Sequence, residues 1–381
     1  MSTPGEPDIY AELGIPRAVN AMGNVTLLGG SILSPKVQAA MAAANQYFVP
    51  MAELMEKSGQ AIANMLGTEN AYVTSGCFAA LVLGMAGIMT GNDPEKIARL
   101  PDTTGMKNEF LLQKKSRYHY DRCITVPGGK LVEVGDENGT TAEQLAAAIG
   151  PNTAGVFYFA RGETTIPGIL SLQAVVSIAH ANGVPVIVDA ASEIYPVERM
   201  TSLSATGADL ICFGSKYLSA FNSAGILCGR RDLIDAASRN GFVGYETYVN
   251  RSIGRGYKLD RQEVIGVVVA LREWLSMDHE ERLQVQADRI QTITTALADL
   301  PHVQAETIWN PERDPWMRLH IGIDAAALGK SPKAIAQELK AGDPGVWVRV
   351  DQNELYVLVN TLQDGEDQIV ARRLREALKT A

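Results

Sequence analysis

The sequence predicts an α/β protein: a mostly parallel, doubly wound sheet in a large domain, with a smaller α+β domain. Three observations predict it. Short apolar runs alternate with helical segments from Asn70 to Asn240, in the order strand, helix, strand, helix. Those runs are apolar nearly throughout, as strands covered by helices on both faces must be. Beyond Pro301 the texture changes to strands flanking amphipathic helices. The predicted boundaries are 48–265 for the large domain and 1–47 plus 266–381 for the small one.

The chain's 381 residues suffice for two cores. With 46% hydrophobic and 20% charged residues it reads as a soluble globular protein. A net charge of −9 argues against a nucleic-acid-binding surface. Met1 to Asp8 shows no basic region followed by an apolar one, so no secretory signal is expected. The longest apolar stretch, Cys77 to Met89, holds two glycines and is too short to span a bilayer. Cys77, Cys123, Cys212 and Cys228 form no C-x-x-C pair, and the five histidines show no metal-ligand spacing. Free thiols in a reducing cytoplasm are expected, with no metal site.

Taken in order, Val19 to Gly30 reads as a glycine-punctuated loop. Ser34-Pro35 supplies an N-cap and a proline at the first helical position, for a helix to about Tyr47. A second helix spans Met51 to Leu66 and ends at Gly67. Strands follow at Asn70–Thr74, Glu109–Gln113, Lys130–Val134 and Ala154–Ala160. Thr140-x-x-Glu143 predicts a capping box for a helix to about Ile149, and Ser171 caps another ending at Asn182-Gly183. Val186–Asp189, the run from Ala208 to Lys216, and Ala224–Cys228 complete the buried strands, and a helix covers Arg231–Asn240. Asp260-x-x-Glu263 and Asp278-x-x-Glu281 open two further helices, the second stopped by Pro301. The small domain has strands at Met317–Ile323, Val346–Val350 and Glu354–Asn360. It also has a helix from Ser331-Pro332 and a last helix ending near Lys379.

Three segments carry chemistry. The strand Asn70–Thr74 breaks at Thr74-Ser75-Gly76-Cys77 and a helix follows. Free N–H groups and hydroxyls at a positive helix end make a phosphate cup; a capped helix with no ligand fits the same pattern. Val186-Ile187-Val188 ends in Asp189, and Leu210 to Ser215 runs into Lys216. Residues just past the carboxyl ends of parallel strands face the ligand crevice. An acid that holds a pyridine nitrogen protonated and an amine that forms a Schiff base are what pyridoxal 5'-phosphate (PLP) requires. For any one such pair taken alone, an ordinary strand-end Asp and a surface Lys is the commoner case. Third, Ser116 to Asp121 ends a strand where a ring could stack on a flat cofactor, or where a surface loop could anchor itself.

Phosphate cup, then Asp189, then Lys216, in that order, resembles the fold type I PLP enzymes. More narrowly the chain resembles the bacterial selenocysteine-synthase-like group, which includes the L-seryl-tRNA selenium transferases and the D-glucosaminate-6-phosphate ammonia-lyases. The resemblance covers nearly the whole chain. It is most specific at Val19 to Gly23, Ala71 to Gly76, Arg99 to Asn108, Asp209 to Lys216 with Ser223-Ala224-Gly225, and Ile253 to Lys258. Arg99 to Asn108 looks more like the ammonia-lyase branch.

The resemblance implies roles. Lys216 would bind PLP as a Schiff base and Asp189 would pair with the ring nitrogen. Ser75, Gly76 and Cys77, with Ser215, would hold the phosphate. It also implies a homo-oligomer, in which Arg255 or Lys258 reaches a neighbour's phosphate or substrate. Arg349 is a candidate for a substrate carboxylate, because arginine offers a planar fork; a surface strand residue is the other reading. Two departures stand out. Leu218 to Asn222 replaces a Gly-Pro-like turn, with Phe221 expected to narrow the pocket. Ser116 stands where the lyase branch suggests a histidine, and His119 follows three positions on.

The expected function is α,β-elimination on a β-hydroxy amino acid or amino sugar acid, releasing ammonia and a 2-oxo acid. Racemisation, aldol cleavage, a tRNA-directed transferase and a non-catalytic homologue are the alternatives.

Overall fold

The computed structural model describes residues 8–161, 166–247 and 251–379. Its contacts divide the chain into two units, Ile32–Ser276 and Met1–Ser31 with Met277–Ala381. Residues 32–47 and 266–276, assigned above to the smaller domain, therefore lie in the larger unit. The side chains explain it. Ser34 bonds Glu273, and Arg261 bonds the Ala44 carbonyl at 3.1 Å, so the helices Pro35–Ala44 and Arg261–Ser276 hold each other.

Numbered along the chain, the first strand is β1 (Ala18–Ala21). The larger unit holds β2 (Asn70–Thr74), β3 (Glu109–Gln113), β4 (Lys130–Val134), β5 (Thr153–Phe159), β6 (Val186–Asp189), β7 (Leu210–Gly214) and β8 (Gly225–Gly229). The smaller unit adds β9 (Val303–Ile308), β10 (Arg318–Ile323), β11 (Gly345–Asp351) and β12 (Glu354–Leu358).

The large sheet has the order β2-β8-β7-β6-β5-β3-β4. Only β8 runs antiparallel to its neighbours. β6, β7 and β8 are buried along their full length, which is why their sequences are apolar without alternation. The helix Cys77–Thr90 is also largely buried, and its sequence is apolar all round. Because β2, β7, β6 and β5 point the same way, their carboxyl ends share one sheet edge. Register aligns them further: Thr74 faces Gly225, Gly225 faces Gly214, Cys212 faces Asp189, and Asp189 faces Phe159.

The smaller unit is a five-stranded sheet, β1-β11-β12-β10-β9, with β1 parallel to β11 and the other pairs antiparallel. Residues 19–21 of the segment expected to be a loop lie in β1, because a partner from much later in the chain completes its ladder. β9 was not expected either. Its burial alternates and its exposed positions are polar, so no apolar run marks it.

One cap is displaced by a residue. Thr140 is buried and donates to the Val134 carbonyl at 3.0 Å, which leaves Thr141 to cap the helix Ala142–Ala148 in a reciprocal box with Gln144. Among the described residues no helix is long and apolar enough to cross a membrane, and no His/Cys/Asp/Glu group could hold a metal ion.

Candidate active site

The site is built where four strand ends meet. β2 ends at Thr74, and the chain turns sharply: the Gly76 N–H bonds the Thr74 carbonyl at 2.9 Å, and the Thr74 hydroxyl bonds the Gly76 carbonyl at 3.1 Å. Gly76 adopts φ +90°, which a side chain would resist, and caps the helix Cys77–Thr90 with no side-chain hydrogen bond. The first N–H groups of that helix therefore face outward unclaimed by a cap. Among the described residues the buried Ser75 hydroxyl has no hydrogen-bond partner. A buried hydroxyl left unpaired beside a helix N-terminus suits a phosphate, which brings acceptors to both.

Asp189 closes β6 and is 5% exposed. Its Oδ1 accepts the Ala191 N–H at 3.0 Å and lies 3.7 Å from the Cys212 thiol; its Oδ2 accepts the Tyr118 hydroxyl. Burial pushes the Asp189 pKa up, and those three donors pull against it. Tyr118 comes from the loop after β3 and stacks on Phe159 with ring centroids 4.2 Å apart and planes 15° apart. Burial, with the Asp189 charge behind it, raises the Tyr118 pKa, so the phenol is a donor.

Lys216 sits two residues beyond β7, in the single turn Ser215–Leu218. Burial lowers its pKa, and the Cys77 thiol acts in the opposite direction. Its ammonium stands 5.2 Å from the Tyr217 ring centroid. Tyr217 in turn feels Cys77, Asp189, Tyr120 and Arg161. Cup, carboxylate and amine thus share one electrostatic neighbourhood.

Not every expected residue has the expected setting. Ser215 is fully buried and its hydroxyl bonds the carbonyls of Phe221 and Ala224, both at 2.7 Å. It shapes the turn that carries Lys216 and is not aimed at the cup. Phe221 packs against the helix Arg261–Ser276: a Cβ on Gly266 would meet its ring at 2.4 Å. Ser116 is buried and bonds the Gln113 carbonyl, while His119 is exposed, edge-on to Tyr120. The ring delivered to Asp189 is Tyr118. Arg255 pairs with Glu246 at 2.7 Å, and Lys258 is exposed. Arg349 lies in the smaller unit, 3.8 Å from Asp351. Residues 162–165, which follow Arg161, lie outside the described residues.

An amine and a buried carboxylate on neighbouring strand ends, beside an anion cup on a seven-stranded sheet with one antiparallel strand, define a fold type I PLP enzyme. Comparison narrows the class. The Aminotransferase class-V family matches residues 129–318. The chain is 30% identical to D-glucosaminate-6-phosphate ammonia lyase of Salmonella typhimurium, over 98% of this chain and 99% of that protein. It is 32% identical to 5'-C-glycyluridine monooxygenase-decarboxylase of a Streptomyces species, over 97% and 92%. It is 23% identical to L-seryl-tRNA(Sec) selenium transferase of Moorella thermoacetica, over 95% and 82%.

A solved structure of D-glucosaminate-6-phosphate ammonia-lyase superposes with a TM-score of 0.85 at 29% identity, covering 98% of each chain. A serine palmitoyltransferase of Sphingomonas wittichii shares the fold, with a TM-score of 0.58 at 16% identity over 95% and 87%. The chain belongs to the selenocysteine-synthase-like group of fold type I PLP enzymes, and its cofactor is pyridoxal 5'-phosphate.

Proposed function

We propose that this enzyme is a lyase that removes ammonia from a β-hydroxy amino acid or amino sugar acid by α,β-elimination. The observation that carries the reading is the placement of Lys216 and Asp189 beside the Ser75–Cys77 cup, on a chain similar over nearly its full length to an ammonia-lyase.

Ser75, with the N–H groups that open the helix Cys77–Thr90, holds the cofactor phosphate. Asp189 holds the proton on the ring nitrogen. When bound, PLP supplies an electron sink for the pair left at Cα. Lys216 takes the Cα proton, and its lowered pKa makes more of the neutral amine available near neutral pH. The Cβ–O bond breaks, hydroxide leaves as water with a proton, and hydrolysis returns that water. The net reaction turns the substrate into a 2-oxo acid and ammonia. Arg349 is kept as a candidate for the substrate carboxylate on the chemistry of its guanidinium alone.

The substrate in the name of the Salmonella relative makes an amino sugar acid the first compound to try. Ser116, in place of an expected histidine, argues for a different acid at the leaving group and so for a related, not identical, substrate. A second reading rests on the Streptomyces relative, whose name is that of a monooxygenase-decarboxylase. In it, an amino acid loses its carboxylate with consumption of O2. Four unbridged cysteines fit a cytoplasmic enzyme. A homo-oligomer is part of the proposal, with Arg255 or Lys258 serving a neighbour's site.

The test pairs chemistry with assay. Borohydride should bleach a visible band and leave the label on Lys216. Untreated enzyme should release ammonia and 2-oxo acid in equal amounts from D-glucosaminate 6-phosphate or a β-hydroxy amino acid, and the reduced enzyme should release neither. Release of CO2 with O2 uptake, and no ammonia, would select the second reading. A label on another lysine would overturn the site.

A further inference from the structure

We propose that Tyr118 is a positioning residue for the cofactor: its phenol O–H fixes the Asp189 carboxylate so that the remaining lone pair of Oδ2 meets the ring nitrogen. The inference rests on the PLP-dependent reading above and extends it to a residue that the sequence does not single out.

The geometry carries the argument. Asp189 Oδ1 is already claimed by the Ala191 N–H and the Cys212 thiol. Only Oδ2 has capacity left, and Tyr118 takes part of it. A carboxylate oxygen accepts two hydrogen bonds, so the phenol and a ring N–H fit together on Oδ2. Tyr118 is itself held from both ends. Its ring lies flat on Phe159, the register neighbour of Asp189 on β5. Its backbone N–H bonds Asp121 at 3.3 Å, and Asp121 is ion-paired with Arg117. The hydroxyl therefore cannot swing away without breaking a stack and a turn.

The second consequence is electrostatic. Burial favours the protonated Asp189, and the Tyr118 bond is the foremost of the influences opposing it. Other titratable groups that feel the carboxylate are Cys123, Cys212 and Tyr217, each pushed up by burial and held neutral. Removal of the phenol oxygen leaves Asp189 with a higher proton affinity. A protonated Asp189 cannot pair as an anion with a pyridinium. Cofactor binding should then weaken at the acid end and recover as pH rises.

The experiment is a PLP titration of the cofactor-free protein, followed by fluorescence between about pH 6 and 9. Wild type, Tyr118→Phe and Tyr118→Leu are compared. Tyr118→Phe keeps the stack and loses the bond; its affinity should fall roughly tenfold at the lowest pH and approach wild type at the highest. Tyr118→Leu should add a loss that does not vary with pH. The position of the bound visible band should shift with pH in Tyr118→Phe and not in wild type.

An unchanged affinity and pH profile in Tyr118→Phe would overturn the inference, as would a loss independent of pH. Tighter binding by Tyr118→Phe would show the phenol blocking the nitrogen's place, and would overturn it too. A wild-type protein that takes up no PLP would remove the functional reading together with this one. Normal uptake by wild type with an indifferent Tyr118→Phe would remove this one alone.

Discussion

Gly225 lies so close to Gly76 that a Cβ at position 225 would come within 2.7 Å of the Gly76 carbonyl carbon and 2.8 Å of the Cys77 nitrogen. The first residue of β8 thus packs directly under the Gly76–Cys77 turn proposed to hold the phosphate. Any side chain there must lift the turn or bend the strand. Gly225→Ala should cost about 1–3 kcal/mol of stability and weaken PLP binding at least tenfold. A melting curve of the cofactor-free protein and a PLP titration measure the two effects.

Ser75→Ala separates binding from folding. The Ser75 hydroxyl is buried and unpartnered, so its loss removes no protein hydrogen bond. The cofactor-free protein should melt at the same temperature or slightly higher. PLP affinity should fall by roughly five- to tenfold. A variant that melts lower and binds PLP unchanged would show the hydroxyl to be structural.

Asp189→Asn should move stability and function in opposite directions. A folded-state pKa raised above the ordinary 3.8 means that the folded chain holds the proton more tightly than the unfolded one. The contribution of Asp189 to stability is full below the unfolded value and is lost as pH climbs through the folded one. The amide does not titrate. The cofactor-free variant should therefore gain about 1 kcal/mol over wild type at neutral pH, with the gain disappearing in acid. Turnover should fall by roughly a hundredfold or more, because the ring-nitrogen proton loses its counter-charge.

Lys216 offers a prediction in the cofactor-free protein. Burial lowers its pKa from 10.5, so a larger share of neutral amine exists at a given pH than for an exposed lysine. An amine-directed reagent should label Lys216 with a pH midpoint below the ordinary lysine value of 10.5. A midpoint at that value would contradict the burial argument. Lys216→Ala should abolish turnover altogether.

At the other end of the same strands, Asp209 is structural. Its side chain is 1% exposed and is bonded by the Val186 N–H at 2.7 Å, His180 at 2.8 Å and Arg230 at 2.7 Å. It ties the start of β6 to the start of β7. Asp209→Ala should destabilise by about 3 kcal/mol, since three donors lose their acceptor. Activity per folded molecule should survive, because the proposed reacting groups, Asp189 and Lys216, lie at the opposite strand ends.

The contrast between Asp209 and Asp189 explains what could be read from the chain. Both are acids at the margins of apolar runs, and the runs themselves were legible because buried parallel strands have no polar face to blur them. The order strand, acid, strand, lysine singled out Asp189 and Lys216, and the strand register puts their ends on neighbouring strands. Tyr118 was not legible as the partner of Asp189. Its loop was recognised as a place for an aromatic ring, but Tyr118, His119 and Tyr120 are equal on paper, and only the register of β5 with β6 chooses among them. Ser215 misled because a serine before the lysine fits a phosphate contact, whereas its hydroxyl closes the following turn. β1 and β9 escaped because one depends on a distant partner and the other is half exposed.

The pairing of β1 with β11 has a consequence for synthesis. Ala18 aligns with Gly345, so β1 waits for a strand that is made much later. During translation β1 emerges with no ladder partner, while the strands β2 to β8 can pair among themselves. The smaller sheet can close only when the carboxyl-terminal segment leaves the ribosome, and closing so long a loop is slow. Premature truncation should therefore leave β1 as an unpaired strand edge, a natural handle for chaperones and proteases.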